Sequence, residues 1–389
     1  MVGCTYSCIP RLIPLLIGVC FVSFPVQAKY GGGTGTTDDP YLIYTAEHLN
    51  AVGLHEDDWD KHFKLIADIS LSGFLHDVAV IAPDTNSVEQ YYQGIPFTGV
   101  LDGDGHTISH LTITGEDYLG LIGRLGPGAN VSNLGLEAAD VHGSGDYVGG
   151  LAGYNDASIT NCYSTGTVTG GRNVGGIVGG NWGVITDCNS SATVLARQSA
   201  GGLVGSNHAA LGPPIGYPPP PFLWLGSVST YHDVIDLEGW DNGGSITNCY
   251  AAGRVEGDRR VGGLLGSNGK YVGATVANCY STGFVWGHSD VGGLVGKVIA
   301  GPVACSFWDI ETSGQANSAG GIGTTTAKMK TASTFLEAGW DFINIWDIGE
   351  NQTYPFLRFA PAGDLNRDKH VDFGDLGVFA QHWLEDTGP

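Results

Sequence analysis

Apolar positions along this chain do not recur at the spacing of a helix. They come in short β-branched runs such as Gly166-Thr167-Val168-Thr169, separated by Gly and Asn. Such runs read as strand, turn, strand. Residues 62–69, His-Phe-Lys-Leu-Ile-Ala-Asp-Ile, form one further strand pattern. Residues 97–108 read as strand, glycine-rich turn, strand. Ahead of the C-terminal 361–389, two stretches suggest helix: residues 46–52, with Thr45 as the N-cap, and residues 327–338.

The short runs belong to a repeat. Gly149-Gly150-Leu151-Ala152-Gly153 returns at 175–179, 201–205, 262–266 and 292–296, and a degenerate copy stands at 119–123. The first two steps are 26 residues, the next is 61 and the last is 30. A second block keeps phase with the first: Asn161-Cys162-Tyr163-Ser164-Thr165-Gly166 matches 187–192, 248–253 and 278–283, with a worn copy at 305–308. A unit of this size, rich in glycine and poor in helix formers, fits one coil of a β-solenoid. The expected fold is therefore all-β, a parallel β-solenoid or β-helix of roughly 26-residue coils. Neighbouring coils must stack to bury each other's inner faces.

The 61-residue step carries about 35 residues more than one unit, near 209–243. It contains Pro213-Pro214 and Pro218-Pro219-Pro220-Pro221, which cannot serve as ladder strands. Trp224, Tyr231 and Trp240 make it a candidate ligand contact; a self-packed loop over an apolar edge is the alternative. Residues 29–118 are expected to hold an N-terminal cap and the first coils, 119–311 the repeat solenoid, and 312–360 a C-terminal cap. There Trp340, Phe342, Trp346 and Phe356 are expected to plug the last coil.

Composition narrows the setting. Glycine occurs 63 times without a period of three, which excludes collagen, and 42% hydrophobic content argues against disorder. The formal charge of −22 disfavours nucleic acid and anionic lipid as partners. Residues 1–28 read as a signal peptide, with Arg11 before an apolar run at 12–24 and a small-residue cleavage site at Val26-Gln27-Ala28. That run is short for a membrane span and nothing later replaces it, so a secreted or cell-surface protein without a membrane span is expected.

The C-terminal stretch 361–389 carries candidate metal chemistry. Asp364, Asn366, Asp368, Asp372 and Asp375 place side-chain oxygens at loop positions 1, 3, 5, 9 and 12, with the His370 carbonyl at position 7. That spacing wraps one chain around calcium. Leu376, Phe379, Ala380 and Trp383 follow at helical spacing, completing half an EF-hand. Lys369 in the usual glycine position and Asp375 in place of glutamate lower the expected affinity.

Two resemblances add to this reading. The phased Gly-Gly-Leu-Val-Gly and Asn-Cys-Tyr-Ser-Thr-Gly blocks resemble the GLUG motif of bacterial surface and secreted proteins, which implies a repeat scaffold and no catalytic residues. Residues 364–384 resemble one half of a type I dockerin. That implies Asp364, Asn366, Asp368, Asp372 and Asp375 as calcium ligands and a cohesin-like partner, although the family carries two such repeats and one is present. Residues 97–108 are similar to the entry turn of parallel β-helices, including pectate-lyase-like ones, a cue to fold alone.

Beyond residue 28 five cysteines remain, Cys162, Cys188, Cys249, Cys279 and Cys305, and all are read at one repeat position. A ladder of buried thiols is expected, with disulfides between coils as the alternative. Asp102, Asp104 and His106 share one turn, and turn chemistry accounts for the aspartates. His288 and Asp290 are assigned to a solvated turn. The expected function is a non-enzymatic secreted or surface scaffold for adhesion, glycan or matrix contact. A polysaccharide lyase or hydrolase on a β-helix, or docking to a surface protein through the tail, are the alternatives.

Overall fold

The computed structural model describes residues 29–86, 91–208, 243–269 and 273–358. Over these residues the chain winds into the expected parallel β-solenoid. A nine-stranded, a 14-stranded and a six-stranded sheet surround one core, and a two-stranded antiparallel ribbon, Trp346–Asp347 with Phe356–Leu357, lies apart. Each coil of the repeat contributes to all three sheets, as in Ser158–Thr160, Tyr163–Gly175 and Val178–Asn181. The paired strands of the three sheets run parallel and in register, so like positions stack from coil to coil.

Stacking builds the core in columns. Leu101, Val131, Ile159, Ile185, Ile246 and Val276 pair in succession, each 1% exposed or less. Burying one such side chain stabilises the fold by about 1.5–3 kcal/mol. The repeated glycines follow from the same closeness. A methyl group on Gly205 would lie 2.6 Å from the Gly179 carbonyl oxygen of the preceding coil and closer still to the Val174 nitrogen. One on Gly202 would land on the Gly263 carbonyl of the following coil. At the opposite corner Asn133, Asn161, Asp187, Asn248 and Asn278 all take φ between +52° and +54°, the left-handed region that short polar side chains tolerate.

A buried polar column was not foreseen. Asn155 donates from Nδ2 to Asn181 Oδ1 at 2.7 Å, Asn181 to Asn207 at 2.8 Å, and Asn207 to Asn268 at 2.9 Å, with all four fully buried. Each also donates to a nearby backbone carbonyl, Ala157 for Asn155, Gly183 for Asn181, Gly244 for Asn207 and Ala300 for Asn268. The ladder meets the hydrogen-bond demand of a corner where the backbone turns between sheets.

Between His208 and Gly243, the described residues on either side of 209–242, the register is kept: Val184 faces Ser245 and Val204 faces Leu265. The long step in sequence therefore leaves the pairing of successive coils intact. At the N-terminal end the helix Ala46–Leu54 forms as expected, with Thr45 accepting a bond from the His48 amide.

Three expectations need correction. The C-terminal aromatics do not plug the last coil. Trp340 and Trp346 pack with Tyr280 and Phe307, in the column whose alternation with buried serines turns its rings outward. Phe342 is partly buried beside them and Phe356 is exposed. Trp308, in register with Ser281, joins the main core at the final coil instead. The helix expected at 327–338 forms as two short ones, Thr326–Met329 and Ala332–Leu336.

The cysteine column is shorter than read. Cys162, Cys188, Cys249 and Cys279 are buried and unpaired, but Cys305 is exposed, one register position away. Ser306 fills the column, accepting the Cys279 amide at 3.1 Å just as Cys188 Sγ accepts that of Cys162 at 3.4 Å. Burial pushes the thiols of Cys162, Cys188 and Cys249 well above their ordinary pKa, which removes the nucleophilic thiolate. In the native protein a thiol reagent is therefore expected to label Cys305 alone among these five, the other four reacting only after unfolding. Peptide mapping of labelled protein checks this, and rapid native labelling at any of the four contradicts it.

The third correction concerns His288 and Asp290. They lie in the strand Val285–Gly292 rather than in a turn. That places His288 on a surface groove.

Candidate ligand-binding groove

The second strand of each coil in the 14-stranded sheet bends outward-facing residues around a floor of small ones. Gly170, Ala196, Gly257 and Gly287 stack as that floor across Tyr163–Gly175, Thr193–Gly201, Val255–Gly262 and Val285–Gly292. One wall is the column Thr169, Leu195, Glu256, Trp286, with His142 before it. Arg197 and Asp258 line the hollow with them, which holds about 380 Å³. Rungs about 4.8 Å apart set the spacing of these side chains along the solenoid axis.

Three large apolar side chains stand exposed at the groove. Trp286 is 47% exposed, Phe284 41% and Leu195 36%. The Arg254 guanidinium lies 4.7 Å from the Phe284 ring centroid and also binds Glu256. His288 meets the Trp286 ring edge-on at 4.9 Å and its Nδ1 lies 3.3 Å from Asp258 Oδ1. At the outer corner Lys297 and Arg259 hold the Asp290 carboxyl below the usual carboxylate range, at 3.1 and 3.5 Å. Arg172 closes on Asp146, and that hydrogen bond raises its own pKa. An exposed indole bracketed by guanidinium and carboxylate groups is suited to a flat, hydroxylated ligand. The ring covers an apolar face and the rim supplies donors and acceptors.

Two other surfaces compete. A larger hollow of about 600 Å³ lies by the first coils and includes Asp102, Asp104 and His106. Its charges are already engaged. Asp102 Oδ1 accepts from the Asp104 amide at 3.0 Å and from Asn133 Nδ2 at 2.9 Å, Asp104 pairs with Lys64 at 3.0 Å, and His106 meets Asp68 at 3.2 Å. The turn-chemistry reading of these residues fits that geometry.

The second is an aromatic column across the six-stranded sheet. Tyr118 stacks on Tyr147 at 5.0 Å, Tyr154 on Trp182 at 4.3 Å, and Trp182 on His208 at 3.9 Å. Arg124 lies over Tyr154 at 4.8 Å and pairs with Asp156 at 2.8 Å. Burial raises the Asp156 pKa, with Arg124 opposing it. Because these rings stack along the axis, their faces are spent on one another, and the column stiffens the coils rather than presenting a platform.

The residues singled out in sequence divide cleanly. Trp224, Tyr231 and Trp240 lie outside the described residues. So do the calcium loop with Asp364, Asn366, Asp368, His370, Asp372 and Asp375, and the signal-like segment 1–28. Among the described residues no cluster of three or more metal-ligating side chains occurs, and no helix is long and apolar enough to cross a membrane. The groove residues Arg197, Glu256, Asp258 and Trp286 were missed. Each stands four to six positions before the first glycine of its block, so counting back from the repeated glycines would have aligned them.

Comparison with known proteins agrees with this architecture. The family described as the GLUG motif matches residues 144–169 and 170–195. Halomucin of Haloquadratum walsbyi is 38% identical over 143 residues, which is 36% of this chain and 2% of that protein. A "Putative Gly-rich membrane protein" of Evansella cellulosilytica is 35% identical over 155 residues, 38% of this chain and 14% of that one. The chain thus spans only a small part of the length of these curated relatives. A crystal structure described as "a putative immunoglobulin A1 protease from Bacteroides ovatus" superposes with a TM-score of 0.60 at 22% identity, over 85% of this chain and 95% of that one. That likeness shows a shared fold.

Proposed function

We propose that this protein is a secreted or cell-surface repeat scaffold that holds an extracellular glycan in the groove around Trp286. The observation that carries this is the 47% exposure of Trp286, the one exposed tryptophan among the described residues, beside ion-paired arginine and carboxylate groups. The names of the relatives, a mucin and a membrane protein, support an outside location. Binding is favoured over hydrolysis because Glu256 and Asp258 are each committed to a cation or a histidine. A glycosidase instead needs two carboxyl groups flanking the bond, one acidic and one basic.

The test is a glycan array probed with the full chain and with Trp286→Ala. Retention of one glycan class, weakened about 30-fold or more by the substitution, is expected, since a central aromatic contact is worth about 2 kcal/mol or more. Equal retention by both proteins contradicts the reading.

We also propose that Asp364, Asn366, Asp368, His370, Asp372 and Asp375 bind a calcium ion, a reading supported by their spacing in sequence. Calorimetric titration is expected to show one site, lost in the Asp364→Ala, Asp368→Ala double variant. Unchanged binding in that variant would move calcium elsewhere.

A further inference from the structure

The arginines of this chain are unevenly placed. Five of nine, Arg172, Arg197, Arg254, Arg259 and Arg260, fall on three adjacent strands of the groove or directly before one of them. With Val285–Gly292 added, these four strands and Arg254 carry five arginines against Glu256, Asp258 and Asp290, or +2. The remaining 12 basic and 36 acidic residues leave the rest of the chain at −24. Asp146 closes on Arg172, and the strip still remains positive. A polyanion is therefore repelled less at this strip than the charge of the whole chain would suggest, and such a contrast favours approach there.

Arg172, Arg254 and Arg259 are paired with Asp146, Glu256 and Asp290, and each guanidinium, with five donors, keeps some beyond its one carboxylate partner. Arg197 is exposed, donates to the Ser144 carbonyl at 3.4 Å, and has no carboxylate in salt-bridge range among the described residues. The Arg260 Nε is buried without an acceptor among the described residues. Arg172 and Arg259 occupy the same register column, with Gln198 between them. They are thus two rungs, about 10 Å, apart, close to the length of an extended disaccharide, and Arg197 lies between them on the intervening strand. Arginine forks of this kind match carboxylate and sulfate oxygens in pairs.

We propose that the ligand of the groove is an acidic polysaccharide, laid along the solenoid axis. One ring covers Trp286, and its anionic groups meet Arg197 and Arg259. This rests on the glycan reading above and names the class of glycan.

Affinity electrophoresis of the full chain in gels containing polygalacturonate, dextran sulfate or dextran tests it, with Arg197→Ala, Arg259→Ala and Trp286→Ala alongside. Matching thermal midpoints keep folding defects apart from binding defects. Retention by an acidic polymer is expected, with little by dextran. Affinity should fall about tenfold for each arginine removed and also fall steeply with salt. Preference between polygalacturonate and dextran sulfate identifies the anionic group. Acidic retention that ignores both arginine substitutions overturns the proposal. Equal retention by dextran, lost in Trp286→Ala alone, also overturns it but leaves the glycan reading standing. Retention by no polysaccharide defeats both.

Discussion

Gly205→Ala is expected to lose more than about 4 kcal/mol of stability, enough to unfold a domain of ordinary marginal stability. The added methyl would meet the Val174 nitrogen, the Asn173 carbonyl carbon and the Gly179 carbonyl oxygen, all backbone atoms of the preceding coil. None can swing aside as a side chain would. The coil must move away, and moving it breaks the pairs that Val178–Asn181 makes with Val204–Asn207. Because each coil is stabilised by its neighbours, a separation here removes support on both sides. The informative control is Gly339→Ala. Gly339 has φ +84° but open space around its missing side chain. That change carries only the left-handed backbone penalty, about 1–2 kcal/mol. Thermal melts of both variants measure the contrast. Similar losses would mean that the repeat glycines serve turns rather than coil contact.

Asn181→Leu is expected to cost about 2–6 kcal/mol, from two buried groups left short of a partner at about 1–3 kcal/mol each. Leucine is close in size, so volume is nearly preserved and the loss reports hydrogen bonding. Asn155 Nδ2 loses its acceptor at 2.7 Å, Asn207 Oδ1 loses its donor at 2.8 Å, and the Gly183 carbonyl loses a bond at 3.1 Å. At 0% exposure these groups are out of reach of bulk solvent. Urea denaturation reads the difference, and a loss under about 1 kcal/mol would place the ladder among features that fill space without holding it.

These two sites mark how far the sequence could be read. The glycine blocks were legible because steric demand at coil contacts admits one residue, and identity then recurs at fixed spacing. The cysteine column was legible for the same reason. It was misread only at Cys305, where the block shifts by one and a serine takes the buried place. The asparagine ladder was present as a longer version of the same block: Gly153-Tyr154-Asn155, Gly179-Gly180-Asn181, Gly205-Ser206-Asn207 and Gly266-Ser267-Asn268. The residue between the third glycine and the asparagine varies among the copies, Tyr154, Gly180, Ser206 and Ser267, which hides the recurring asparagine. The groove was hidden for a different reason. Its wall is Thr169, Leu195, Glu256 and Trp286, four unlike side chains that share only a register position. Surface columns are free of the packing demand that makes inner ones repeat, so position reveals them and residue type does not. The 61-residue step compounds this by separating Leu195 from Glu256, which the structure puts on adjacent rungs.

The C-terminal aromatics were recognised as buried but assigned the wrong partner. Composition marked Trp340 and Trp346 as core. Only the outward column of Tyr250, Tyr280 and Phe307 explains why a second, external cluster exists for them to join.

Among the described residues, the groove and the aromatic column are two surfaces that would offer a glycan several rings. Hydroxyl-radical footprinting of the full chain, with and without the retained polysaccharide, separates them most directly. The account predicts protection of Trp286, Phe284 and Leu195 on binding, with Tyr147, Tyr154 and Trp182 oxidised as in the free protein. Protection of the stacked column with an unchanged rate at Trp286 would contradict it and move the binding surface to the six-stranded sheet.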